Sequence, residues 1–331
     1  VFLIALCAFG QGTTSVVGTV TDPSGAVVPG AALVIENVAT GITRETESDQ
    51  SGGYRFLQLA PGAYRLKVKK SGFADLLVND IQLLVNTPAT LNVTFEKVGQ
   101  VSEVVSVSAE ATTVNTVDAS LGNAIGNRPV VQLPLNARNI VGLLALQPGV
   151  VFTQEGDTDS RNGAVNGGKS DQANVTLDGV DVNDQMDRQA FTSVLRMTPD
   201  SVQEFRVTTS NATADQGRSS GAQVALVTKG GTNEVHGSLY AYHRNTVTTA
   251  NDFFLNASGV PRQKLIRNIY GASLGGPIIK NKLFLFGNWE GRKDARDGQA
   301  LRTIPSMSMR QGIVQYRRTA GGVASVPPTQ I

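Results

Sequence analysis

The sequence predicts a mainly β protein in three successive parts: a small sandwich, a mixed α+β domain, and the first strands of a barrel. Three observations predict it. Of 331 residues 35 are Gly, and Val, Thr, Ser and Asn are frequent, which favours strands and turns over helices. Short runs of alternating polarity recur between turn residues along the N-terminal part of the chain. After Gly237 the runs lengthen to what a bilayer-crossing strand requires.

Composition also excludes classes of function. Charged residues make up 17% of the chain and the net charge is +2, so there is no electrostatic case for nucleic acid as a partner. The lone Cys7 excludes an intrachain disulfide framework and any CxxC metal or redox motif. Residue 1 is Val, not Met, and a piece of a longer reading frame is expected. Residues 1–9, VFLIALCAF, are apolar and uncharged, and Ala8-Phe9-Gly10 has the small-x-small form of a cleavage site. Residues 1–10 are expected to be a signal-peptide remnant, too short to span a bilayer as a helix. A buried first strand is the alternative.

Residues 15–97 hold seven strand candidates: SVVGTVTD, AALVIENV, ITRETES, GYRFL, AYRLKVKK, DLLVNDIQLLV and ATLNVTFEK. Turn residues separate them, among them Pro23-Ser24-Gly25, Ser51-Gly52-Gly53 and Pro61-Gly62. This spacing predicts a small antiparallel sandwich. Tyr54 and Tyr64 sit at inward strand positions and are expected in its core. The runs GTVTDPSGAVVPGAALVI and GGYRFLQLAPGAYRLKVKKSGF, within residues 18–73, resemble the carboxypeptidase regulatory-like domain. That resemblance implies a transthyretin-like, carbohydrate-binding-like β-sandwich. The segment contains no His, no Cys and no catalytic constellation.

In the middle of the chain, three alternating runs stand at Asn174–Leu177, 202–209 and 221–229. Asp178-Gly179 predicts a tight turn. Thr198-Pro199-Asp200 predicts a capped helical turn before the second run. In QLPLNARNIVGLLALQPGV, Asn136 is a good N-cap for a helical stripe through Ile140, Val141, Leu143, Leu144 and Ala145, and Pro148-Gly149 ends it. These clauses, with VTLDGVDVND and the stretch from SVQEFRVTTSN to TKGGTNEVHGS, resemble the plug domain of TonB-dependent outer-membrane receptors, most closely their Oar-like branch. Ala137 stands where that branch has Gly. The resemblance implies a plug over residues 108–232, preceded by a linker over 98–107. It implies a structural and gating role for Asn136, Arg138, Asp178, Gly179, Asp181, Glu204, Arg206, Lys229, Gly230 and Gly231. It also marks Ser102, Glu103, Val104, Val105, Ser106 and Val107 as a candidate contact for TonB, reached by strand addition. The alternative for that segment is an ordinary first strand of the plug.

Three motifs in the plug read otherwise at first sight. Residues 163–170, GAVNGGKS, match the P-loop pattern, but the strand before and helix after that phosphate binding requires are missing. Residues 157–163 hint at a calcium loop, but its Gly falls one place late and Arg161 takes a ligand position. Asp178, Asp181, Asp184 and Asp187 are expected at solvated loop tips or bonded to a barrel wall. No catalytic, cofactor or metal residues are assigned. His236 and His243, the only histidines, face opposite sides of one strand and cannot share a metal.

From residue 233 the chain is expected to enter a transmembrane barrel. Residues 235–245, 267–278 and 282–292 are strand candidates, joined by a long connection (246–266) and a short turn (279–281). Tyr270, Ala272, Leu274 and Ile278 alternate with Gly271, Ser273 and Gly275. Leu283, Leu285 and Trp289 alternate with Asn288, Glu290 and Arg292, although Phe284 and Phe286 spoil the pattern near its start. Trp289 is expected toward lipid or at the membrane interface rather than as a ligand platform. A receptor barrel needs about 22 strands, so the chain is expected to hold only the first few of a truncated barrel.

Together the resemblances imply a receptor or transporter in the outer membrane of a Gram-negative bacterium, with the sandwich in the periplasm. Its implied partners are the TonB energising complex of the inner membrane, outer-membrane lipid, and an extracellular oligosaccharide, peptide or metal chelate. Plug movement would gate uptake, and no enzymatic step is expected. The alternative is a surface protein that adheres to matrix or glycans without transport.

Overall fold

A computed structural model describes residues 12–96, 104–108, 117, 119–133, 135, 138, 140–154, 161–168, 172–184, 195, 197–217, 221–297, 304–317 and 323–326. The leader-like segment, Ser102, Glu103, Asn136 and most of the calcium-like loop lie outside these residues. The chain divides into two compact units, Val1–Tyr240 with Gly271–Glu290, and Ala241–Tyr270 with Gly291–Ile331.

The sandwich opens the first unit. Its strands are β1 (Thr14–Thr21), β2 (Ala32–Asn37), β3 (Thr43–Glu47), β4 (Gly53–Leu59), β5 (Gly62–Lys69), β6 (Asp75–Leu83), β7 (Ala89–Thr90), β8 (Val93–Thr94) and β9 (Val104–Ser108). One sheet has the order β4-β1-β7, with β8 also on β1, and the other runs β3-β2-β5-β6-β9. Period-2 alternation turns Val16, Val20, Leu33, Ile35, Phe56, Leu66, Val68, Ile81 and Leu83 into the space between them, all buried. Phe73 stacks on Phe95 with ring centroids 4.7 Å apart. Tyr54 and Tyr64 lie in this core, and their hydroxyls donate to the carbonyls of Leu91 (2.6 Å) and Ala60 (2.8 Å). Two turns repeat one device: Asp22 accepts from the amides of Ser24 and Ala26, and Asp49 from those of Ser51 and Gly53. The hydroxyls of Ser24 and Ser51 hold both carboxyls below their ordinary range.

The sandwich is not wholly antiparallel, as expected from spacing alone. β7 and β8 run parallel to β1, and β9 runs parallel to β6. Hairpins can only return a strand antiparallel, whereas a chain that crosses between sheets can re-enter in the same direction. Segment 104–108 thus joins the sandwich sheet, not the plug sheet.

The plug follows with β10 (Leu121–Gly126), α1 (Asn127–Gln132), a 3-10 run Ile140–Leu146, β11 (Val150–Gln154), β12 (Arg161–Val165), β13 (Asn174–Leu177), β14 (Val180–Asp181), β15 (Val202–Ser210) and β16 (Gln223–Thr228). Its main sheet has the order β10-β15-β16-β13-β14. One face carries Val202, Phe205, Val207, Val224, Leu226 and Val175 against Ile140, Leu143 and Leu144 of the 3-10 run. The expected helix is therefore shorter and tighter than its stripe suggested. Arg138 takes a left-handed φ of 53°, which breaks a continuous helix leading into Ile140. Ile140 and Leu143, three apart, then eclipse on the buried side, as 3-10 geometry allows.

The P-loop-like motif begins as strand β12, paired with β11, and turns at Asn166 and Gly167, whose φ values are 49° and 79°. Lys169 and Ser170, where a phosphate-binding helix would begin, lie outside the described residues. The Asp178-Gly179 turn forms as expected. Both residues have positive φ (50° and 85°), and Leu177 pairs with Val180 across the tight hairpin β13–β14.

The wall strands are β17 (His236–Asn245), β18 (Leu265–Ile279) and β19 (Leu283–Arg296), in that sheet order, with the short helix α2 (Phe253–Ala257) in the long connection. Leu239, Leu274, Ile278, Leu285 and Trp289 are exposed on one face. Such a face matches the outward apolar band of a membrane barrel. Phe284 and Phe286 are half-buried between the exposed Leu283 and Leu285, so the alternation holds through them. At the short turn Asn281, with φ 61°, exchanges hydrogen bonds with Asn233 (2.7 and 2.8 Å), and the Asn233 amide donates to Ala39 in the sandwich.

In the second unit Asp294 accepts from Arg267 (3.0 Å) and Arg292 (2.6 Å). His243 Nδ1 lies 2.7 Å from Asn268 Oδ1. α3 (Met307–Arg310) leads to a hairpin of β20 (Val314–Arg317) and β21 (Val323–Val326). No helix among the described residues is long and apolar enough to cross a membrane.

Candidate functional site: the plug–wall contact

The sequence clause holding Arg138 brings its guanidinium to the junction of plug and wall. Its left-handed backbone, with its amide donating to the Leu135 carbonyl, turns the side chain away from the apolar core of the 3-10 run. Nη2 lies 2.5 Å from Asp200 Oδ2, on the turn Pro199–Ser201 that enters β15. Nε reaches Glu290 Oε2 on β19 at 3.4 Å. The guanidinium carbon sits 4.9 Å from the Tyr240 ring centroid on β17, and the Tyr240 hydroxyl donates to Glu290 at 3.0 Å. All three charged side chains are largely buried, at 12%, 9% and 9% exposure for Arg138, Asp200 and Glu290. One plug cation is thus held by one plug acid and one wall acid, with an aromatic face beside it.

The surrounding bonds reinforce the same junction. Thr198 was expected to cap the turn at Pro199, yet its hydroxyl makes no cap bond. It lies 2.9 Å from Asn288 Oδ1 on the wall instead. The Lys229 amide donates to the Ser201 carbonyl at 2.9 Å. Burial pushes the Lys229 ammonium down, and the Asp200 charge opposes that shift. Gly231 then passes the chain to the wall. A Cβ there would fall 2.5 Å from the Leu285 carbonyl oxygen and 2.6 Å from that of Gly276, so only Gly fits between these two backbones. Gly230 is exposed and meets no such restriction.

The other singled-out residues lie elsewhere. Asp178 was expected at a solvated tip or on the wall, but it accepts from the Thr228 amide (2.9 Å) and hydroxyl (2.8 Å) inside the plug sheet. β13 runs parallel to β16, and the turn after β13 therefore folds back onto the end of β16. Gly179 is exposed at that turn, and Asp181 accepts from the Asn183 amide. Glu204 and Arg206 point to the opposite face of the sheet from the apolar core, as period 2 requires. There Glu204, 4% exposed, accepts from the Val85 amide at 2.9 Å, so this face meets the end of the sandwich. Val85 also packs with Ala225 and Val227. Burial pushes the Glu204 carboxyl up to about 7, against the Val85 bond and the Arg206 charge that favour its ionised form.

Sequence reasoning singled out Arg138 and Lys229 but missed Asp200, Tyr240 and Glu290. Asp200 read as a turn former. Glu290 read only as a polar position on the inner face of its strand, and an acid repeated with Asn288 on that face is the signal that pointed to it. Among the described residues no cluster of three or more potential metal ligands occurs.

The chain matches three families in succession. These are the carboxypeptidase regulatory-like domain over residues 15–96, the TonB-dependent receptor plug domain over residues 123–224, and an outer membrane beta barrel domain over residues 227–330. The TonB-dependent transporter Oar of Myxococcus xanthus is 27% identical over 304 residues, covering 87% of this chain and 27% of that protein. The chain therefore spans about a quarter of the length of that relative. Among solved structures, the outer membrane transporter YddB of Escherichia coli is 13% identical, covering 62% of this chain and 29% of its own, with a TM-score of 0.44. The ferric enterobactin receptor of Pseudomonas aeruginosa is 18% identical over 53% of this chain and 24% of its own, with a TM-score of 0.38. The matched domains are those of a receptor, not of an enzyme.

Proposed function

We propose that this chain, which matches the TonB-dependent receptor plug domain and an outer membrane beta barrel domain, captures an extracellular substrate and gates its uptake by moving the plug against the wall. The substrate is an oligosaccharide, a peptide or a metal chelate. TonB supplies the energy through the segment Ser102, Glu103, Val104, Val105, Ser106 and Val107. The single observation that carries this reading is Arg138, held at once by Asp200 of the plug and Glu290 of the wall. A contact made of one buried charge between two acids is directional. When the plug shifts, Asp200 travels with Arg138 while Glu290 stays on the wall, so the contact with Glu290 is the one that breaks.

The test uses whole cells carrying the complete receptor. Uptake of labelled iron chelates, oligosaccharides and peptides is compared with that of strains lacking the receptor or lacking TonB. Uptake of one class lost in both strains supports the reading. Uptake lost without the receptor but intact without TonB would show a receptor that works without plug energisation and overturn it.

A further inference from the structure

The plug sheet keeps a polar face where it meets the end of the sandwich. Register across three strands sets that face out as two rows. Thr208, Gln223 and Asn174 stand side by side on β15, β16 and β13, and all three are buried. Arg206, Ala225 and Thr176 form the next row, with the small Ala225 as a dent between two longer side chains. Residues 12–13 and 85–86 of the sandwich stand across from them, with the Asn86 amide donating to the Thr13 carbonyl. Between the two walls lies a cleft of about 450 Å³, in the range that holds small ligands. Its mouth is lined by the exposed Gly179, Asp181 and Gly217. Gln216 also lines it, and Gln216 Oε1 is buried without a hydrogen-bond partner among the described residues. Burying such an acceptor costs free energy that a bonded ligand hydroxyl restores.

We propose that this cleft binds a neutral saccharide of one or two rings, which bridges the sandwich to the plug. The lining excludes other classes in turn. Arg206 is the one cation among the described lining residues. Asp181 at the mouth and Glu204, two residues along the strand of Arg206, offset its charge, so an anion gains little. An extended peptide needs an open ladder, and β13, β15 and β16 are each paired on both sides. No cluster of potential metal ligands occurs among the described residues. A wholly apolar ligand would take water from the amides and the guanidinium without replacing its hydrogen bonds. A sugar has hydroxyls at its edges and C–H groups on its faces. Thr208, Gln216 and Gln223 offer donors and acceptors together, which suits hydroxyls that do both. Val85, Ala225 and Val227 form an apolar patch beside them, which suits the C–H face of a ring. A sugar held by both walls stabilises the docked sandwich by mass action. The site is independent of substrate capture outside the membrane.

The test uses the complete receptor in lauryldimethylamine oxide, a detergent without a sugar headgroup. Glucose, maltose and N-acetylglucosamine are the probes, and inorganic phosphate is the control. Titration calorimetry should find saturable binding of at least one sugar with a Kd of about 1 mM or tighter. Gln223→Leu and Thr208→Val, close in shape to the native residues, should each weaken it about tenfold. In the unaltered receptor, that sugar at about ten times its Kd should slow exchange of the Val85 amide about tenfold, because it bridges that contact. No saturable binding by any of the sugars overturns the inference, as does binding of phosphate in their place. Sugar binding that survives both substitutions lies elsewhere and overturns it as well. If the variants do not fold, the Val85 amide decides. Exchange slowed by the bound sugar supports the bridge, and unchanged exchange overturns it.

Discussion

Arg138→Ala in the complete receptor separates the two halves of the plug–wall contact. Asp200 is only 9% exposed on its side chain and loses its 2.5 Å partner. Removing one member of a buried pair costs about 3–5 kcal/mol when nothing replaces it. Lys229 acts on Asp200 electrostatically and partly replaces the charge, which lowers the expected cost to about 2–3 kcal/mol. Glu290 loses only a 3.4 Å contact and keeps the Tyr240 hydroxyl, so its share is about 0.5–1 kcal/mol. The cation–π contact with Tyr240 adds about 0.5–1 kcal/mol. The sum is about 3–5 kcal/mol, and the Asp200 leg dominates. Hydrogen exchange of the β15 and β16 amides reads it as opening that is faster by at least a hundredfold. A double-mutant cycle apportions it, with coupling of Arg138 to Asp200 expected to exceed its coupling to Glu290 by about 1 kcal/mol or more. Unchanged exchange in Arg138→Ala, or a larger coupling to Glu290, would refute the reasoning.

Two further predictions concern the plug's other face and its exit. Glu204 is raised in the folded chain from 4.5 to about 7, so the fold prefers it protonated and stability is lost as pH rises between those values. The loss amounts to roughly 3 kcal/mol. Glu204→Gln should remove this slope from an unfolding series between pH 4.5 and 7.5, and an identical slope in the variant would assign it to other groups. Gly231→Ala drives a methyl into two carbonyl oxygens and should destabilise by at least 2 kcal/mol, measured as urea sensitivity of the plug, whereas Gly230→Ala, with open space around it, should be neutral within about 0.5 kcal/mol.

Wherever one side of a strand is buried, a period of two is written in the residues themselves. The sandwich strands and the wall strands follow it closely, whereas β15 and β16 are buried on both faces and read as nearly continuous buried runs. The Asp178-Gly179 turn was legible for a related reason, because few residue pairs tolerate two successive positive φ values. The acid at that turn was misplaced all the same. Its partner Thr228 lies 50 positions away and meets it only because β13 and β16 run parallel.

What the sequence determined by itself, then, is local: which runs are strands, which faces are apolar, where the chain turns, and which family patterns it carries. Tertiary structure alone decided who meets whom. Arg138 reaches Asp200 across 62 positions and Glu290 across 152, and either acid could have been solvated as far as its neighbours in sequence reveal. Segment 104–108 could extend a sheet as readily in the plug as in the sandwich, since a strand's ladder groups are the same backbone atoms in every sequence. Its place beside β6 is a pairing that only the tertiary structure shows. That pairing, with the buried charge at Arg138, makes three strings of strands into a plug held to a wall and a sandwich extended by one more strand.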